Sequence, residues 1–373
     1  MRICYSANGE SIHTQRWVNY FASRGHEVHL ISSRFTEKFS GYDTRVQMHP
    51  LVKLLPQLWR LSGYISGILW LFQIRRIVRE IKPDIVDAHF IVVPGYLGVA
   101  SGFHPLILTA WGSDILITPK QNPILKFITK KAIKRADCII CVSPVLKQEL
   151  LMLGAAREKI HIIPMGVDVE EFSPKPKDLA LLQALDISDS PVVISVRNLE
   201  AIYNVETLLR AAAQVLHEIP NTRFIIAGEG EQRKYLEGLA NALNITGSVR
   251  FVGWIPHSDL SRYLVSSDVY VSTSLSDSLG VSNLEAMACR IPVIVGDLPA
   301  TREWIVDGES GFIFPLKDQQ ALAEKIINLL RDNGLITRVG DAGRKVVVES
   351  AEYGKQMAKV EKIYQKLVGW DPN

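Results

Sequence analysis

Short apolar, β-branched runs alternate along the whole chain with longer stretches in which apolar residues recur every third or fourth position. The short runs predict strands at 2–5, 27–32, 84–89, 106–109, 138–142 and 159–163. They resume at 192–196, 223–227, 249–251, 269–272 and 292–295. The periodic stretches predict helices at 14–24, 123–135, 205–217, 232–243, 259–265 and 283–288, and a last one at 353–368. Strands alternating with helices imply parallel sheets covered by helices. The alternation breaks once, at 172–191, where prolines and charges mark a linker with one short helix. The pattern therefore predicts an α/β chain of two Rossmann-like parallel-sheet domains facing across a cleft. The expected boundaries are 1–172, a linker at 173–191, a second domain at 192–345, and a tail at 346–373 returning toward the first. Ligands of such sheets sit beyond the carboxyl ends of the strands.

Composition adds little to this frame. The 373 residues are 47% apolar and 22% charged, an ordinary globular balance for two cores of roughly 150 residues each. Cys138 and Cys141 form a C-x-x-C, but on a strand their side chains point to opposite faces, and no second ligand pair exists. They read as core cysteines, and four unpaired thiols suit a reducing compartment. The start has no apolar signal region. The longest uncharged apolar run, 61–74, is shorter than the ~20 residues needed to span a bilayer. Charge is unevenly shared: residues 1–172 carry 21 Lys/Arg against 14 Asp/Glu, and the remainder 21 against 25. A basic front half predicts an anionic partner surface.

Two segments carry candidate chemistry. Gly228-Glu229-Gly230 follows a strand and precedes a helix, as a dinucleotide fingerprint would. However, Arg233 stands at the third glycine position, and no acidic residue ends a following strand at the required spacing. A glycine-rich turn at a ligand cleft fits better, and no nicotinamide or flavin cofactor is expected. No Asp-x-Asp pair occurs, so no metal site for a diphosphate is expected either. In 274–292, Asp277 and Glu285 flank Ser278, Gly280, Val281 and Ser282, a loop leading into a helix. Gly280 permits close backbone approach to a ligand, and the helix N-terminus favours an anion. Asp277 suits sugar hydroxyls and Glu285 a ribose diol. Ser282-x-x-Glu285 also reads as a capping box, which accounts for neither Asp277 nor Gly280.

The same segment resembles glycosyltransferase family 4, whose hallmark is Glu-x7-Glu followed by AMAxGxPVI. Here it is Asp277-x7-Glu285 and AMACRIPVI at 286–294. Further matches follow in order: RGHEV at 24–28, KPDIVDAH at 82–89, the strand from Ala136 to Ser143, IPMGVD at 163–168, AGEG at 227–230 and FVGW at 251–254. The resemblance implies the GT-B fold and sugar transfer from a nucleotide-sugar donor, UDP- or GDP-linked, with retention of anomeric configuration. It implies Arg197 as the diphosphate ligand, Glu285 as the ribose ligand and Asp277 as the sugar ligand. Trp254 and Ile255 would lie at the base, with a core role for Trp254 left open. His13 and Asp114 are the acceptor-side candidates. The acceptor would be a glycan, a lipid-linked sugar or a small molecule.

Departures from the pattern mark a divergent branch. Tyr203-Asn204 replaces the usual Lys-Gly, so one cation is lost from the phosphate site. The first acid is Asp277, one methylene short of Glu, and Trp111-Gly112-Ser113-Asp114 stands where many members have His-Gly-x-Asp. Two alternatives stay open: a nucleotide-sugar epimerase of the same fold, and a non-catalytic sugar-nucleotide-binding partner subunit.

In the front half, 51–82 and 116–137 each carry six Lys/Arg against one acid, among large apolar residues including Trp59, Trp70 and Phe72. Lys126, Lys130 and Lys134 form a stripe beside Ile124, Ile128 and Ile133, which suits an anionic membrane surface. The expected location is cytoplasmic, with peripheral attachment to the inner face of the plasma membrane as a further expectation. No nucleic-acid partner is expected.

Overall fold

The computed structural model describes residues 1–34, 41–51 and 62–369, with the backbone alone for 62–68. The chain divides into two compact units, 1–164 with 356–373, and 165–355.

The first unit holds a seven-stranded sheet: β1 (Arg2–Ser6), β2 (Glu27–Ser32), β3 (Gln47–Pro50), β4 (Ile85–His89), β5 (Leu106–Ala110), β6 (Cys138–Cys141) and β7 (Ile160–Ile162). The order is β3-β2-β1-β4-β5-β6-β7, and every pair is parallel. Ile3 pairs with Val28 on one side and Ile85 on the other. The central strands β4, β5 and β6 are buried along their whole length, which explains why they read as unbroken apolar runs. β3 was not among the expected strands. It is a polar edge strand ending in Pro50, largely exposed, so no alternation betrays it.

Helix Ser62–Ile81 buries Ile74, Val78 and Ile81 against Cys4, Ile31, Val86 and Leu106. All four cysteines are buried and free, and burial pushes the thiols of Cys4, Cys138 and Cys289 up to about 12. The tail helix Tyr353–Val368 completes this unit from Gln356 onward. Its Tyr364 is fully buried, stacks on Phe21 with centroids 4.9 Å apart, accepts a bond from Trp17 Nε1 and donates to Asp87. Glu361 pairs with the His26 ring at 2.8 Å.

The second unit holds β8 (Val192–Val196), β9 (Arg223–Ala227), β10 (Val249–Gly253), β11 (Val269–Ser272), β12 (Val293–Gly296) and β13 (Phe312–Phe314). Their order is β10-β9-β8-β11-β12-β13, again all parallel. Val193, Phe224, Ile226, Val269 and Val271 form the sheet side of one core. Leu208, Leu209, Ala212 and Val215 of helix Val205–Glu218 close it at three-to-four-residue spacing. The short linker helix is Leu179–Ala184, capped by Asp178. In this unit two long helices beyond those expected, Gln319–Arg331 and Asn333–Ser350, start at Asp318 and Asp332, whose carboxylates accept first-turn amides. Those aspartates are the sequence signal that marks them. In the first unit Ser62–Ile81, Val93–Ser101 and Pro144–Met152 were likewise not among the expected helices.

Candidate active site

In the second sheet the chain moves outward from β8 through β9 to β10, then returns to the other side of β8 with β11. β8 and β11 therefore meet at a topological switch point, where the crossing loops diverge and leave a crevice at the carboxyl ends. Arg197 is the first residue beyond β8, and Ser272 is the last of β11. Arg197 Nε donates to Ser272 Oγ at 3.1 Å. Its Nη2 donates to Asp277 Oδ2 at 2.7 Å and to Asn283 Oδ1 at 3.3 Å. The guanidinium lies 5.7 Å from the centroid of the Tyr203 ring. Burial opposes its charge, but Asp277 and the neighbouring tyrosine oxygens outweigh this and hold it protonated above the usual arginine range.

Asp277 does two jobs. Its Oδ1 accepts the amides of Ser278, Leu279 and Gly280 at 2.8, 3.3 and 3.0 Å, while Oδ2 faces Arg197. Burial raises its carboxyl, but Arg197 and the three amides win, and the pKa falls below the ordinary aspartate value. Bonding the amides of the next three residues is a turn that the short Asp side chain makes readily. This gives a physical reason for Asp at this position.

The loop ends at Gly280, at φ +65°, in the left-handed region; a Cβ there would meet Asn283 Nδ2 at 2.5 Å. Gly280 is the N-cap of helix Val281–Ala288, with no side-chain cap. The capping-box reading is thereby corrected. Ser282 lies inside the helix and bonds Tyr270 Oη at 2.8 Å, and Glu285 bonds the His257 ring instead of a cap amide. Glu285 is 4% exposed, and its Oε1 lies 3.0 Å from His257 Nε2. Val281 is half-buried beside Gly280.

The remaining candidates follow the carboxyl ends of β8, β9 and β10 in the chain. Gly228, at φ +134°, lets the chain leaving β9 press on the backbone just beyond β8; a Cβ would sit 2.1 Å from Arg197 O. Glu229 is exposed and pairs with Arg233. The Tyr203 carbonyl accepts from Thr273 Oγ1, and Asn204, in a left-handed conformation, opens helix Val205–Glu218. Trp254 is 67% exposed, so the core alternative falls; Ile255 beside it is half-buried. Asn283, Ser272 and His257 belong to the site and were not among the candidates. Among the described residues, no group of three or more His, Cys, Asp or Glu side chains converges as a metal site requires.

His13 and Asp114 lie in the first unit. His13 stands on the first turn of helix Ile12–Ser23 and stacks on Trp111, with centroids 5.8 Å apart at 26°. Asp114 is fully buried and accepts the amides of Ile91, Trp111 and Gly112 at 3.0, 3.2 and 2.8 Å. Burial lifts its carboxyl above the ordinary value despite those bonds. The structure thus uses Asp114 to fix the turn after β5 that carries Trp111.

The sequence pattern that defines "Glycosyl transferases group 1" matches residues 181–346, and "Glycosyl transferase 4-like" matches 2–143. N-acetyl-alpha-D-glucosaminyl L-malate synthase of Bacillus anthracis is 24% identical over 99% of this chain and 97% of its own length. A GDP-mannose-dependent phosphatidylinositol monomannoside mannosyltransferase of Mycolicibacterium smegmatis is 23% identical over 89% of this chain and 87% of its own. In structure, HepE of Anabaena in complex with UDP-glucose superposes with a TM-score of 0.82 at 19% identity, covering 98% of this chain and all of that one.

Proposed function

The chain belongs to the glycosyl transferases of group 1 and uses a nucleotide-sugar donor; from that premise we propose that it is a retaining, metal-independent enzyme with a UDP- or GDP-linked donor and a lipid-linked acceptor. The observation that carries the reading is Arg197, held at the switch point by Ser272, Asp277 and Asn283. A planar fork fixed on three sides suits the oxygens of a diphosphate. The helix that begins after Gly280 adds its unpaired amides and the positive end of its dipole. Together these groups would stabilise charge on the departing nucleotide diphosphate. Glu285 would hold the ribose and Asp277 would orient the sugar. A phosphate oxygen of the leaving group would take the acceptor proton, so no protein base is required.

A lipid-linked acceptor is supported by the surface of the first unit. Helix Pro123–Arg135 buries Thr129, Ala132 and Ile133. Ile124 and Phe127 are 71% and 66% exposed, amid the exposed Lys126, Lys131, Lys134 and Arg135. Ile133 therefore serves the core, and the exposed apolar pair is Ile124 with Phe127. Phe72 is likewise exposed beside Arg75 and Arg76. The portion of the basic segment at 52–61, including Trp59, lies outside the described residues. Apolar side chains within a basic rim fit an anionic bilayer surface. Among the described residues no helix is long and apolar enough to cross a membrane.

A thermal-shift and turnover screen against UDP- and GDP-sugars tests the reading. One nucleotide should stabilise the protein, and its sugar conjugate should turn over when a lipid-linked acceptor is supplied. Stabilisation by none of them would refute the donor site. Turnover of the nucleotide sugar without an acceptor would favour an epimerase.

A further inference from the structure

Glu285 does not stand alone. His257 opens helix His257–Val265, three residues beyond the exposed Trp254. Its Nε2 lies 3.0 Å from Glu285 Oε1. An ionised carboxylate only accepts, so this nitrogen donates the proton. On the other side of the ring, Nδ1 lies 3.7 Å from Glu171 Oε1. Phe172, fully buried, meets the imidazole edge-on, with centroids 5.2 Å apart at 65°. The ring is thus held between its hydrogen bond to Glu285 and the edge-on contact with Phe172, with Glu171 nearby.

Glutamate has three side-chain torsions, and the last one, which sets the carboxylate plane, is soft. Recognition of two adjacent hydroxyls depends on that plane. A carboxylate offers about four acceptor positions, and His257 occupies one of those on Glu285. We propose that His257 is a positioning residue: it locks the carboxylate of Glu285 so that its remaining acceptor positions meet the vicinal hydroxyls of a nucleotide's ribose. The proposal rests on the reading of Glu285 as the ribose ligand. It adds a residue whose effect passes only through the diol and leaves the diphosphate contacts of Arg197 untouched.

That separation can be measured. Calorimetric titration of the full chain with UDP and GDP selects the tighter nucleotide, which is then compared with its 2′,3′-dideoxy counterpart. His257→Phe keeps a ring against Phe172 and removes the hydrogen bond. It should bind the ribose form about tenfold more weakly than wild type and the dideoxy form equally well. His257→Gln carries an amide N–H near the place of Nε2 and should stay within about threefold of wild type for both. If His257→Phe does not fold, His257→Asn, whose shorter amide falls short of that place, replaces it with the same two ligands. Equal losses for both ligands, or no loss for either, would overturn the proposal and leave His257 as packing. Wild type that binds neither UDP nor GDP would instead overturn the donor site itself, and the proposal with it. Wild type that binds without distinguishing ribose from dideoxyribose would remove the role of Glu285.

Discussion

Replacing Arg197 by methionine removes a cation from beside a carboxylate that is largely withdrawn from water. The two side chains are 12% and 15% exposed and meet at 2.7 Å. Breaking a buried pair by deleting one member costs about 3–5 kcal/mol. Three amides still bind the stranded Asp277, which places the expected loss at the lower end, about 3 kcal/mol. For a unit spanning 165–355 that corresponds to a drop of about 6–12 °C in the melting temperature of its transition. The double variant Arg197→Met, Asp277→Asn removes the stranded charge and should regain about half of the loss. Neither variant should bind a nucleotide diphosphate as wild type does, so stability returns without function. The pH dependence has a definite sign. Arg197 helps hold Asp277 below its ordinary value, so the pair stabilises fully above the unfolded aspartate pKa of about 3.9 and loses this as pH falls through the depressed folded value. The gap between wild type and Arg197→Met is then widest at neutral pH and narrows below about pH 4. Urea unfolding followed by circular dichroism, run at both pH values, reads these differences. A single variant within about 1 kcal/mol of wild type, or a double variant no more stable than the single, would refute the pairing argument.

Glu285→Gln can still accept from His257 while losing its charge, so stability should change by less than about 1 kcal/mol while transfer activity falls steeply; undiminished turnover would remove Glu285 from the site. If Arg197 and the helix start serve the diphosphate as proposed, activity should survive EDTA; loss restored by Mg²⁺ or Mn²⁺ would contradict metal independence. Co-sedimentation with anionic vesicles at low salt should detect the protein in the pellet. Phe127→Ser should weaken that binding about tenfold, and serine at Lys126, Lys130, Lys131 and Lys134 should weaken it at about 1 kcal/mol per charge, without loss of fold. Wild type left in the supernatant with anionic and neutral vesicles alike would point to a soluble acceptor.

The architecture was legible because its signals are local. Central strands such as Ile85–His89 and Val192–Val196 are buried on both faces and stand out as apolar runs. Helices Pro123–Arg135 and Tyr353–Val368 carry a 3.6-residue period that needs no partner to be seen. The strands that escaped, β3 and β13, are short edge strands of three or four residues. Their pairing comes from a neighbour already in place rather than from their own pattern. Likewise Ser282-x-x-Glu285 is a valid local capping signal, yet Gly280 turns the chain two residues earlier and both side chains find partners elsewhere.

The sequence by itself determined the alternation of strands and helices, and with it two parallel sheets. It also located a loop and helix at 277–288 where acidic groups flank a glycine. Only the tertiary structure decided what those groups touch. Arg197 meets Ser272, Asp277 and Asn283 across separations of 75, 80 and 86 residues. Glu285 meets His257 across 28, and Tyr364 reaches Trp17 across 347. Periodicity records which face of an element is buried. Partners this far apart are chosen by strand order, which brings β11 back beside β8, and by the side-chain rotamers that packing then allows.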